Sequence, residues 1–127
     1  MTTQPLTIDT FESTITDGGI VLVDFWASWC GPCRQFAPVY AAAAEEHQDI
    51  VFGSVDTQDQ QELAGAVGIT SIPTLMAFRD GILVFAQPGA LPATALEEVI
   101  TAVRDLDMER VRSEIEQQST QNAPAGA

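Results

Sequence analysis

Two thiols three positions apart, Cys30 and Cys33, are the residues of this chain best suited to do chemistry, and there is no other cysteine. On a helix such residues share a face, one turn apart, so their sulfurs can meet. They follow the stretch Asp24-Phe25-Trp26-Ala27-Ser28-Trp29, the end of an apolar strand. A cysteine pair where a strand runs into a helix is placed to make and break disulfides. Zinc is the rival use. Structural zinc takes a full tetrahedral set of ligands, and this chain offers two cysteines and one distant histidine, His47, so no metal is expected.

The elements that must hold this pair can be read along the chain. Ile20–Trp26 is a nearly continuous apolar run with β-branched residues, the pattern of a strand buried on both faces. A helix is expected from Gly31 to about His47, with Pro38 kinking it and His47 exposed at its end. Before these, Thr7–Ile15 reads as the end of a short strand leading into a helix capped by Asp9 or Thr10. After them come a parallel strand over Ile50–Val55 and a short helix over Gln60–Val67 closed by Gly68. Thr74–Arg79 and Ile82–Ala86 form a hairpin across Asp80-Gly81, a turn that needs positive φ. A last amphipathic helix starts at Pro92 and carries the stripe Leu96, Val99, Ile100, Val103 and Leu106. The order β-α-β-α-β-α-β-β-α gives an α/β fold, a mixed central sheet with helices on both faces. Met108, Val111 and Ile115 fall at helical spacing, so residues 107–118 read as an extra helix, packed on the domain or on a partner, or as a solvated continuation. Residues 119–127 are small and polar and are expected to be disordered.

Bulk properties narrow the function. The 127 residues suffice for one domain with one core. Net charge is −13, with five arginines and no lysine, which opposes binding to nucleic acid or anionic lipid. No apolar run approaches the roughly 18 residues that span a bilayer. The opening Met-Thr-Thr-Gln-Pro-Leu-Thr lacks a basic region and an apolar core, so a cytoplasmic address is expected. In that reducing compartment a close cysteine pair is redox-active more often than structural.

The acidic, lysine-free composition and the Gly89-Ala-Leu-Pro92 stretch are similar to thioredoxins of high-GC bacteria, and several separated motifs resemble the thioredoxin family. They are Val23-Asp-Phe-Trp26, Trp29-Cys-Gly-Pro-Cys33, Pro38, Val55-Asp56, Ile72-Pro-Thr74, Asp80-Gly81 and Gly89. The resemblance covers about residues 5 to 106, within a thioredoxin domain taken as 1–106, and implies the thioredoxin fold, with the short helical extension outside it. It implies a protein-disulfide reductase that serves cell redox homeostasis. Cys30 would be the nucleophile, its thiolate favoured by the helix N-terminus. Cys33 would be the resolving thiol, shielded and protonated. The uncharged Gly31-Pro32 pair favours a reductant over an oxidant. Asp24, a carboxylate inside an apolar strand, should have a raised pKa and would take the Cys33 proton through water. Many thioredoxins keep a lysine near this aspartate, and this chain has none. Ile72-Pro73 would be cis, and Trp29, Gly31, Pro32, Ile72, Pro73 and Gly89 would form an apolar surface for client strands.

The resemblance further implies a monomer that binds no cofactor of its own. A flavin- and NADPH-dependent thioredoxin reductase would recharge it. Its clients would include ribonucleotide reductase, peroxiredoxin and methionine sulfoxide reductase. The alternative is a thioredoxin-like chaperone or scaffold module that needs no redox turnover and uses the C-terminal segment as its interaction element.

Overall fold

The computed structural model describes residues 3–17 and 19–121. Five strands form one sheet in the order β1-β3-β2-β4-β5. They are β1 (Thr3–Pro5), β2 (Ile20–Trp26), β3 (Val51–Asp56), β4 (Thr74–Arg79) and β5 (Ile82–Pro88). The first three run parallel, while β4 pairs antiparallel with β2 and with β5, so the sheet is mixed. Five helices accompany it: α1 (Phe11–Thr16), α2 (Gly31–Glu46), α3 (Gln61–Ala66), α4 (Ala93–Arg104) and α5 (Met108–Gln121).

β2 is central because alternate residues feed two cores. Val21, Val23 and Phe25 pack with Phe11, Ile15, Leu63, Met76 and Phe78, beneath α1 and α3. Leu22 packs with Phe36, Tyr40, Phe52, Leu75, Leu96, Ile100 and Val103, beneath α2 and α4. Burying each of these large side chains stabilises the fold by about 1.5–3 kcal/mol. Asp24 has the same parity as Leu22 and therefore enters the α2 face, at the end of the sheet nearest the cysteines.

Asp80 and Gly81 both adopt positive φ, at 55° and 83°, as the hairpin requires. At the opposite end of β2 from the cysteines, Arg79 donates to the carbonyls of Val103, Arg104 and Leu106 and so closes the C-terminus of α4. Met108 is buried at the start of α5, and Arg112 reaches Asp80 at 3.9 Å. His47 lies at the end of α2 as expected, but half-buried and partnered. Its Nε2 meets the Glu97 carboxylate at 2.8 Å and its Nδ1 faces Arg104, which also pairs with Asp49.

Several details differ from expectation, among them shifts of a residue or two at β3, at α3 and at β5, which runs on to Pro88. The first strand lies at Thr3–Pro5, and Thr7 belongs to a turn whose amide bonds the Thr10 hydroxyl at 3.0 Å. Of the two expected caps, Thr10 occupies the N-cap position of α1 but makes no side-chain cap bond, its hydroxyl accepting from the Thr7 amide instead. Helix α5 continues to Gln121 instead of ending at 118, because no glycine or proline interrupts the sequence there. The remainder of the expected disordered tail, 122–127, lies outside the described residues.

Candidate active site

The site begins where β2 ends. Thr57 ties the loop after β3 to the end of β2, its amide and hydroxyl both donating to the Trp26 carbonyl, at 2.8 and 3.0 Å. Cys30 is the N-cap of α2, with extended backbone (φ −88°, ψ 113°), and a proline follows in the first turn. An N-cap side chain faces the unpaired amides of the first turn. Here the Cys33 amide donates to Cys30 Sγ at 3.2 Å. This hydrogen bond favours a thiolate at Cys30 once the pair is reduced, as does the positive end of the helix dipole.

Cys30 and Cys33 are joined as a disulfide, with their Cα atoms 5.2 Å apart. Exposure does not distinguish them: Cys30 is 4% exposed and Cys33 3%. The expectation that only Cys33 is shielded therefore does not describe this disulfide form. Surroundings distinguish them instead. Cys30 Sγ lies 3.8 Å from the Ile72 carbonyl oxygen. Cys33 faces the other way, into a cleft of about 330 Å³ that it lines together with Asp24, Arg34, Tyr40, Ser54 and Thr3.

Asp24 is 5% exposed, and its Oδ1 has no hydrogen-bond partner among the described residues. Burial pushes its carboxyl up from the usual 3.8 to about 7. Among the described residues no cation offsets that cost. Arg34, the one arginine lining the cleft, donates to the Ser28 carbonyl at 2.9 Å. On β3 the α2-facing positions nearest Asp24 are Ser54, directly across the ladder, and then the buried Phe52, neither of them charged.

The expected client-facing residues also come together. Ile72-Pro73 is cis. The Gly89 amide donates to the Pro73 carbonyl at 2.7 Å, which fixes one loop against the other, and Gly89 has φ 104°. Trp29 is 64% exposed and borders a groove with Gln61, Ser71 and Ile72. Gly31 and Ile72 are partly exposed, and Pro32 and Gly89 are exposed. Pro73 is fully buried, so it shapes this surface from beneath. Tyr40, Ser54 and Thr3 were not anticipated, because they reach the cleft only through strand pairing and helix packing.

A family model described as Thioredoxin matches residues 2–102. The chain belongs to the thioredoxin family. It is 57% identical over 119 residues to a putative thioredoxin 2 of Streptomyces coelicolor, which covers 94% of this chain and 89% of that protein. It is 43% identical over 89 residues to a thioredoxin of Bacillus subtilis, covering 69% of this chain and 86% of the relative. Among solved structures, a mutant thioredoxin of Halobacterium salinarum superposes with a TM-score of 0.76 at 32% identity, over 82% of this chain and 92% of that one. Spinach chloroplast thioredoxin f gives 0.75 at 32% identity, over 82% and 95%. The Streptomyces alignment is too long to stop at Leu106, so it includes part of α5, which the family model leaves out. Like other thioredoxins, this chain is a protein-disulfide oxidoreductase whose redox centre is the Cys30–Cys33 pair. Nothing among these relatives favours the chaperone reading.

Proposed function

We propose that Cys30 attacks the client disulfide and Cys33 resolves the resulting mixed disulfide, with Asp24 taking the Cys33 proton. The observation that carries this division of labour is the hydrogen bond from the Cys33 amide to Cys30 Sγ, with Cys33 itself turned toward the Asp24 cleft. The bond stabilises negative charge on the first sulfur. The neighbouring carboxylate is a proton acceptor with an affinity close to neutral pH. In the first step the Cys30 thiolate bonds to one client sulfur and the other leaves as a thiolate. In the second, the deprotonated Cys33 bonds to Cys30, and the client is released reduced.

The groove between Trp29 and Ile72 would hold an extended client segment, with Gly31, Pro32 and Gly89 at its border over Pro73. We assign residues 1–106 as the redox domain and the helix after it as an appendage at the opposite pole. We expect the protein to work in the cytoplasm as a monomer; no described helix is long and apolar enough to cross a membrane. The family implies a reductase and disulfide clients as partners. We expect a flavin-containing, NADPH-dependent thioredoxin reductase to recharge the pair. Ribonucleotide reductase, peroxiredoxin and methionine sulfoxide reductase are the expected clients, through which the protein would maintain redox homeostasis.

Insulin reduction with NADPH and a thioredoxin reductase tests this reading. Cys30→Ser should abolish turnover, while Cys33→Ser should trap a covalent Cys30–client adduct. Adduct formation through Cys33 in the Cys30→Ser protein would reverse the assigned roles.

A further inference from the structure

The cleft behind Cys33 holds an acid that nothing around it balances. Asp24 lines the cleft, is 5% exposed, and has an oxygen, Oδ1, without a hydrogen-bond partner among the described residues. The other groups lining it bring no second negative charge and leave this one uncompensated. Cys33 is tied into the disulfide, and the Tyr40 hydroxyl donates to the Gly53 carbonyl at 2.7 Å. Burial, and then the charge of Asp24, push the ionisation of Tyr40 well up, so it stays a neutral phenol. β1 and β3 bring the hydroxyls of Thr3 and Ser54, and β4 sets Leu75 across from Asp24. Arg34 also lines the cleft, but its Nη1 donates to the Ser28 carbonyl at 2.9 Å.

A water molecule can satisfy the free oxygen, but it leaves the charge uncompensated once the carboxyl ionises. A cation that carries N–H groups does both: it donates charge-assisted hydrogen bonds and offsets the cost of the buried charge. The cleft restricts which cation fits. One carboxylate and a few hydroxyls are too few oxygens to replace the shell of a hard divalent metal. Trp26, Ala37 and Ala41 make much of the remaining wall apolar, which suits an organic body within a volume of about 330 Å³. The net charge of −13 draws cations toward the protein. The cleft shares no lining residue with the groove of Trp29 and Ile72, so its occupant is separate from the client segment.

We propose that this cleft is a binding site for a small primary alkylammonium ion, with its N–H groups donating to the Asp24 carboxylate and its methylene chain lying against Trp26, Ala37 and Ala41. An ammonium group has three donors and no acceptor, which matches an ionised carboxylate and not a protonated one. Amine and proton therefore compete for the same acid. The site stands on the shape and charge of the cleft, whether or not Asp24 takes a proton from Cys33.

Butylammonium chloride is the probe, added to the oxidised full-length protein, where neither cysteine titrates. Carbon-13 NMR follows the Asp24 carboxyl. Its midpoint, about 7 without amine, should fall by roughly half to one pH unit at saturation, because an adjacent cation favours the ionised form. By linkage, butylammonium should bind about 3- to 10-fold more tightly at about pH 8.5 than at about pH 5.5, as read from the backbone amide shifts of Ala41 and Ser54. The amine keeps its own proton across that range. Sodium chloride and tetramethylammonium chloride at the same ionic strength should not reproduce the shift, since neither cation has an N–H to donate. Ala41→Leu, at an exposed position of α2, puts a longer side chain into the cleft and should abolish the response. Arg34→Ala should leave the amine-free midpoint in place. A rise there would make Arg34 the counter-ion and overturn the proposal. So would an equal shift with tetramethylammonium, a response that survives in Ala41→Leu, or no response at all, in which case water alone serves Asp24. None of these measurements uses a client or a reductase, so failure here is separable from failure of the assigned cysteine roles.

Discussion

The two ends of the central sheet treat charge in opposite ways. At the far end, Arg79 satisfies three carbonyls, Arg104 pairs with Asp49 beside His47 and Glu97, and Arg112 approaches Asp80. At the cysteine end a carboxyl is buried with one oxygen unpartnered, and the single arginine nearby is bonded elsewhere. Four of the five arginines belong to the far end or to α5. The difference separates stability from function. The far end is satisfied and holds helices to the sheet, whereas the near end buries a carboxyl that keeps its proton up to about neutral pH and is less stable above it.

The sharpest way to break this comparison is to remove the uncompensated carboxyl. A carboxyl whose folded-state pKa is raised keeps its proton between about pH 4 and pH 7 while the unfolded chain loses it. Stability therefore falls as pH rises through that window, and the full cost is present above about pH 7. Asp24→Asn should stabilise the protein by roughly 2–4 kcal/mol at about pH 8 and hardly at all near pH 4, as read by urea unfolding. An equal effect at both pH values would mean that the gain has nothing to do with ionisation.

The reverse sign is expected at the other end. Arg79→Ala leaves three carbonyls at the end of α4 without their donor and should destabilise by about 2–3 kcal/mol. Client reduction by the remaining folded protein should be unchanged, since the cysteines sit at the opposite pole. A loss of turnover without a loss of stability would show that the two ends are coupled.

Arg104→Ala should have the smallest effect, since its partner Asp49 is exposed. Arg104 holds the Asp49 carboxyl down to about 2, so the pair's contribution is present above the ordinary carboxylate range and is lost as pH falls toward that value. Unfolding curves of the variant and the wild type should converge in molar salt, where surface charges are screened.

The cysteine pair, the β2–α2 junction, the Asp80-Gly81 hairpin and the succession of elements along the chain were legible because each depends on local residue chemistry. Asp24 was legible as an anomaly, a charge within Val23-Asp-Phe-Trp26. Tyr40 was not. In sequence it is one more apolar-phase residue on α2 with Phe36 and Ala43, and its hydroxyl finds its partner only when β3 is laid beneath the helix. The short β1 was displaced for a related reason. Three edge residues ending in proline carry little periodic signal, and their pairing with Phe52, Gly53 and Ser54 defines them. Burial of both sulfurs likewise depends on a distant loop, the one containing Ile72.

Gly53 has a consequence for the cleft that its position in mid-strand conceals. A Cβ there would lie 2.5 Å from Leu6 Cδ1 and 3.1 Å from its Cγ, so the missing methyl is what seats Leu6 against β3. Leu6 is anchored just after β1, whose Thr3 forms part of the outer wall around Asp24. One hydrogen atom in place of a side chain thus sets how closely Leu6, and with it the chain just after β1, can approach β3.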